Sequence, residues 1–247
     1  MTRPLTFIII GATGDLAQRK IFPALFAAFA RGHLPSDVRM VGVARTPLDN
    51  AAFRERLAPN LKCEELTGQA CSLQAGVFLK QCHYHRCDYA SHSDFQNCLS
   101  WLSALELGIP ANRILYLAIP PFLFSDTLQA MSQGGLLPKS VSDPWTRVVV
   151  EKPFGHDRTS YDLLQRDVQK FCQEEQIYRI DHYLGKEVVQ NLLVLRFANT
   201  VFESLWSRTH IQHVHIAWSE QLGVKGRTAY FDRYGILRDV MQNHLLQ

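Results

Sequence analysis

The run Leu5-Thr-Phe-Ile-Ile-Ile10 stops at Gly11, and Gly11-Ala-Thr-Gly-Asp-Leu-Ala17 leads into a helical pattern over Ile21–Arg31. A short β-branched and aromatic run ended by glycine reads as a buried strand. A strand feeding a helix through so short a glycine turn fits few architectures. Pro23 is tolerable only near the first turn of that helix, and Gly32 closes it. The alternation then repeats. Arg39–Ala44 reads as a strand, Leu48 to Leu61 as a helix, and Val77–Cys87 as a stretch ending in a strand before Asp88. Cys63–Gly76 reads as helix and loop. Phe95–Leu107 is helical, Arg113–Ile119 is a strand stopped by Pro120-Pro121, Phe122–Gly134 is a helix, and Arg147–Val150 is a strand. Strands alternating with helices predict an α/β fold, a Rossmann-type doubly wound parallel sheet. From Arg179 the rhythm changes to one helix and then longer strand-like runs such as His213–Ser219. This predicts the start of an α+β domain with a largely antiparallel sheet, and domains at 1–178 and 179–247.

Composition narrows the function classes. With 247 residues, 47% hydrophobic and 20% charged, the chain has the balance of a globular protein with a real core. Its net charge of +3, from 26 basic and 23 acidic residues, is too even for a nucleic-acid binder and compatible with a phosphate site. The six cysteines (Cys63, Cys71, Cys82, Cys87, Cys98 and Cys172) show no CxxC and do not read as a disulfide framework. No secretory signal and no apolar stretch of ~20 residues is found, so no membrane span and a reducing, cytoplasmic setting are expected. Gln81-Cys-His-Tyr-His-Arg-Cys87 offers four candidate metal ligands, but alternate strand residues face opposite sides, and no metal site is expected.

The pattern Gly11-x-x-Gly14-x-x-Ala17 lies where a dinucleotide fingerprint belongs, between first strand and first helix. One glycine makes the tight turn and another lets a pyrophosphate approach the backbone. A small residue packs helix on strand, and the phosphates sit at the helix N-terminus. Gly11, Ala12, Thr13, Gly14, Asp15, Leu16 and Ala17 are therefore candidate cofactor residues. NAD sites place an acid near the end of the second strand, to bond the ribose 2′-hydroxyl. Here that strand ends in Val43-Ala44-Arg45-Thr46, and the planar donors of Arg45 suit a 2′-phosphate, favouring NADP. Asp88 and Tyr89, after the third strand, are candidates for the adenosine half.

Chemistry-bearing residues gather further on. Glu151-Lys152-Pro153-Phe-Gly stands at the carboxyl end of a strand, the edge where open α/β sheets bind ligands. In Arg179-Ile-Asp-His-Tyr-Leu-Gly-Lys-Glu187, His182 and Lys186 are four apart, so on a helix they share a face. With Tyr183 they form a donor-rich pocket suited to a dianionic phosphate. In the final segment His244 is a candidate base. Asp239, five residues earlier, lies about 140° away around an α-helix, so Asp181 is the better partner.

These four motifs (the glycine turn, EKPFG, RIDHYLGKE and Arg-Asp-Val-Met-Gln-Asn-His-Leu-Leu-Gln247) together resemble the glucose-6-phosphate dehydrogenase family. The resemblance runs from Leu5 to the last residue and is weakest between Cys63 and Gln96. It implies that the glycine turn and Arg45 hold NADP and that Lys152 reaches both cofactor and sugar. It implies that His182, Tyr183 and Lys186 hold the substrate phosphate, that Lys20 stands near the reacting sugar, and that Glu220 and Asp239 bind sugar hydroxyls. His244 would be the general base and Asp181 its carboxylate partner. The implied reaction oxidises D-glucose 6-phosphate at C1 to 6-phosphoglucono-1,5-lactone with NADP⁺, the first step of the oxidative pentose phosphate pathway. The chain departs from some members at Phe124, where a tyrosine follows their Pro-Pro pair. Members are also longer, with a large antiparallel sheet and an oligomer interface, so a homo-oligomer is implied for them and less so for this chain. Two other readings stand beside this one: a truncated, catalytically impaired NADP-binding fragment, and a glucose–fructose oxidoreductase-like dehydrogenase, which the Arg179–Glu187 segment argues against. A short-chain dehydrogenase would need YxxxK, and Tyr183 to Lys186 is one residue too short.

Overall fold

The computed structural model describes residues 3–62, 68–152, 154–155, 157–217, 219, 223 and 228–246. The chain divides into two compact units, Met1–Glu151 with Arg158–Arg179, and Lys152–Asp157 with Ile180–Gln247.

The first unit is built on strands β1 (Leu5–Ile10), β2 (Arg39–Ala44), β3 (Cys82–Arg86), β4 (Asn112–Leu117), β5 (Thr146–Glu151) and β6 (Ile177–Ile180). They form one six-stranded sheet in the order β3-β2-β1-β4-β5-β6, and the pairings from β3 through β5 are parallel. The chain leaves β1 toward β2 on one side and later adds β4 on the other, so the switch point lies between β1 and β4. Helices α1 (Phe22–Ala30), α2 (Asn50–Leu57), α3 (Gly68–Lys80), α4 (His92–Leu105), α5 (Phe124–Gln133) and α6 (Arg158–Phe171) complete this unit. Consecutive residues Ile8, Ile9 and Ile10 are all buried, as a sheet covered on both faces requires. On one face Ile9, Met40 and Cys82 join a core with Phe22 and Phe26 of α1, Phe53 of α2 and Phe78 of α3. Phe22 meets Phe53 edge-on at 5.5 Å and Phe26 meets Phe78 at 5.4 Å.

One buried charge is fully engaged. Glu106, 1% exposed, accepts from Thr6 Oγ1 at 2.9 Å and from Arg113 Nη2 at 2.6 Å and Nε at 3.2 Å. It thereby ties the end of α4 to β1 and β4.

Three elements differ from the sequence expectation. Val77–Lys80 is helical, because Cys71, Ala75, Phe78 and Leu79 of α3 recur at helical spacing against the core; the strand begins only at Cys82. Helix α6 and strand β6 were not anticipated: in α6 Tyr161, Leu164, Val168 and Phe171 recur at helical spacing but stand among polar and charged residues, and β6 is only four residues long. The cysteines also need one correction. Cys82, Cys87, Cys98 and Cys172 are buried free thiols, but Cys71 is disulfide-bonded.

The helix after the glycine turn opens as a π turn, Ala17–Ile21, before becoming α1. Pro23 gives the reason. It has no N–H to donate and its ring crowds the carbonyl four residues back, so the chain widens there, with the Phe22 N–H reaching Ala17.

The second unit contains α7 (Glu187–Phe197), α8 (Thr200–Leu205), α9 (Thr228–Ile236) and a π-helical segment, Leu237–Leu245. Residues 211–217 and Ser219 have no regular structure, so among the described residues the strand expected over His213–Ser219 is not formed. A strand needs a neighbour to take its N–H and C=O groups, and among the described residues no other strand pairs with it. Among the described residues no helix is long and apolar enough to cross a membrane.

Candidate functional site

The glycine turn is shaped by close approach. Gly11 has φ +91°, donates its N–H to Val43 O at 2.8 Å, and leaves no room for a side chain: a Cβ would stand 2.4 Å from Ala118 O. Gly14 donates to Gly11 O at 2.9 Å and a Cβ there would meet that same oxygen at 3.1 Å. The backbone is therefore bare at the switch point, directly before a helix N-terminus, which fits a pyrophosphate. Ala12 and Ala17 are fully buried and serve packing, whereas Asp15 and Leu16 are exposed, Asp15 in an ion pair with Arg19 at 2.8 Å.

Beside this turn, Thr13 Oγ1 lies 3.4 Å from Thr46 Oγ1. The Arg45 guanidinium lies over the Tyr89 ring, 5.3 Å from its centroid, and Tyr89 is buried beneath it. Burial raises the Tyr89 phenol above its usual pKa, against the opposing charge of Arg45. The Arg86 Nε donates to Arg45 O at 3.2 Å. Tyr84 Oη donates to Ala44 O at 3.1 Å and Thr46 O at 2.6 Å, pinning the loop from below. Asp88 is turned to a local role: its Oδ1 accepts from Ala90 N at 3.1 Å and its N–H bonds Asp94 Oδ2 at 2.9 Å. Arginines, threonine hydroxyls and bare backbone form a donor set suited to the phosphates of a dinucleotide.

The second unit holds the polar cluster. Asp181 Oδ2 accepts from Lys152 Nζ at 2.9 Å, and its Oδ1 accepts from the Tyr183 N–H at 3.0 Å while lying 3.5 Å from His244 Nδ1. At 3.5 Å the last contact is electrostatic rather than a well-formed hydrogen bond, and His244 Nδ1 has no hydrogen-bond partner. Burial alone would raise the Asp181 carboxyl; the Lys152 ammonium and the N–H groups of Tyr183 and Leu184 outweigh it and hold the pKa below the usual range. Burial and the neighbouring His182 lower the His244 imidazole, with Asp181 and Asp239 pulling the other way. The Tyr183 ring stacks on His244 at 4.1 Å, His182 stands 4.8 Å from His244, and Lys186 Nζ sits 3.5 Å over the Tyr183 ring.

This geometry corrects the helical argument for His182 and Lys186. Residues 182–186 form turns, and helix α7 begins only at Glu187. The Asp181 side chain caps the Tyr183 N–H two residues on, an Asx turn, and Lys186 N–H closes onto Tyr183 O at 3.0 Å. His182 and Lys186 meet around Tyr183, not along a helix face. Asp239 is corrected in the opposite direction. It and His244 lie on a π-helical segment, whose i→i+5 bonding sets residues five apart in successive turns, so the 140° separation of an α-helix does not apply.

Lys20 is exposed within the π turn of the first unit. Glu220 lies outside the described residues. Arg179 is engaged with Glu174 and, at 2.7 Å, with Gln165. Sequence reasoning missed Arg86 and the Tyr116–Glu151 hydrogen bond at the ends of β4 and β5. Arg86 was findable, since it ends the strand that neighbours β2.

A doubly wound sheet with a bare glycine turn at its switch point defines a nicotinamide dinucleotide-binding α/β protein. Comparison with known proteins sharpens this. The profile for the glucose-6-phosphate dehydrogenase NAD binding domain matches residues 8–191, and that for the C-terminal domain of the same enzyme matches 193–247. The chain is 49% identical over 243 residues to chloroplastic glucose-6-phosphate 1-dehydrogenase 1 of Arabidopsis thaliana, covering 98% of this chain and 42% of that protein. To glucose-6-phosphate 1-dehydrogenase of Dictyostelium discoideum it is 44% identical, covering 98% and 48%. A solved glucose-6-phosphate dehydrogenase in complex with its substrate glucose-6-phosphate superposes on the whole chain with TM-score 0.86 and 37% identity, over 51% of its own length. The chain belongs to the glucose-6-phosphate dehydrogenase family and spans about half the length of the relatives it matches.

Proposed function

We propose that the chain carries the nucleotide site and catalytic base of an NADP-dependent glucose-6-phosphate 1-dehydrogenase. The observation that supports it best is the Lys152–Asp181–His244 constellation, on a chain whose relatives bear that activity. The glycine turn, from Gly11 to Ala17, takes the pyrophosphate, while Arg45, with no acid in its place, takes a 2′-phosphate. When bound, the nicotinamide supplies the hydride acceptor. Lys186 supplies positive charge, and His182 and the uncapped N-terminus of α7 supply N–H donors, for the phosphate of the sugar. Asp181 stands 3.5 Å from the His244 Nδ1 and acts on it electrostatically, and His244, its pKa lowered, is the base for the proton of the C1 hydroxyl. Lys152 and Asp239 are the sugar contacts this reading assigns to the second unit.

The test is reduction of NADP⁺ or NAD⁺ by purified protein, followed at the reduced-nicotinamide absorbance with glucose 6-phosphate. Turnover with NADP⁺ exceeding that with NAD⁺ supports the reading. Cofactor binding without turnover would instead identify a nucleotide-binding fragment.

A further inference from the structure

We propose that Arg86 is a second guanidinium for the cofactor 2′-phosphate, acting beside Arg45; this rests on the NADP reading above. Strands β2 and β3 pair in register Ala44↔Arg86, so Arg86 leaves the sheet at the same carboxyl edge as Arg45 and next to it. Its Nε is committed to Arg45 O at 3.2 Å, which fixes the stem and leaves both terminal nitrogens of the fork to an anion. Both arginines are exposed, and each is anchored: Arg45 by the Tyr89 ring, and its loop by the Tyr84 hydroxyl bridging Ala44 O and Thr46 O. The nearby carboxylate of Asp94 feels the charge of Arg86, but its oxygens are taken by the Asp88 N–H at 2.9 Å and Ser91 Oγ at 3.0 Å. Two cationic forks anchored at neighbouring strand ends suit a ligand with two negative charges better than a neutral one. A ribose 2′-phosphate is the dianion that a strand-2 edge of this fold presents. A 2′-hydroxyl offers no such charge, so Arg86 acts on the choice between the two dinucleotides and not on the pyrophosphate.

Adenosine 2′,5′-bisphosphate and adenosine 5′-monophosphate differ in that one phosphate, and calorimetric titration of each into the chain isolates its contribution. The unsubstituted protein is expected to prefer the bisphosphate. Arg86→Ala is expected to weaken the bisphosphate about tenfold, the usual weight of a charged hydrogen bond, with the monophosphate unchanged. Arg86→Gln retains a donor for Arg45 O but lacks the charge, and is expected to match the alanine variant. If Arg86→Ala leaves both affinities in place, or weakens both equally, the proposal is overturned. The same holds if Arg86→Gln behaves as the parent. If the parent itself shows no preference, the NADP reading falls with it. If Arg45→Ala abolishes the preference and Arg86→Ala does not, only the role of Arg86 falls.

Discussion

His244 shows how much a single side chain carries. Replacing it with asparagine is expected to cost on the order of 10²–10⁴-fold in turnover, the range for a general base, with folding unchanged by circular dichroism. Its lowered pKa gives the pH dependence a definite sign. The neutral imidazole is favoured in the fold, so the acid limb of kcat/KM inflects below the ordinary histidine value of 6.5. The linked stability has the same direction: it is fully present above that value and is lost as pH falls toward the folded pKa. Asp181→Asn removes a charge that raises the imidazole, so the acid limb is expected to move lower still while the rate falls. Of these residues, His244, Asp181 and Lys152 were legible as types in motifs. The turn around Tyr183 was not, because it depends on the Asp181 side chain capping a backbone N–H, which helical spacing does not anticipate.

At the scale of elements, turns and caps decide what the sheet can present. Gly11→Ala is expected to destabilise the chain by about 1–3 kcal/mol in urea unfolding from backbone strain alone. The contact with Ala118 O adds to that, and dinucleotide affinity drops with it. Glu106→Ala strands Arg113 and Thr6 in the interior and is expected to cost about 3–5 kcal/mol, read by the same unfolding curve. The β1-glycine-helix start and the strands β2, β4 and β5 were legible, because each is a dense apolar run closed by a breaker. Helix α6 was not, since its apolar residues stand among polar and charged ones, and the extent of α3 was hidden by an apolar stretch that both helix and strand patterns fit. The π turns were invisible to a period of 3.6. Both Lys20 and His244 stand on one.

At the scale of the molecule, the residues proposed for the nucleotide, Gly11, Arg45, Arg86 and Tyr89, all belong to the first unit, and Lys152, Asp181, Tyr183 and His244 to the second. A chain ending at Arg179 is therefore expected to bind adenosine 2′,5′-bisphosphate as tightly as the 247-residue chain, measured by calorimetry. The division is not a single cut, however, since Lys152–Asp157 counts with the later residues although α6 and β6 follow it. A gene split once, between residues 179 and 180, would leave the lysine of the constellation on one product and its aspartate on the other. The ion pair would then become a reporter of reassembly: mixing the two halves restores it only where they find each other again. A break within Lys152–Asp157 would part Lys152 from all later residues while leaving Asp181 and His244 on one piece. Recombination within this family therefore cannot exchange one half-site cleanly for another at any one crossover between Lys152 and Asp181.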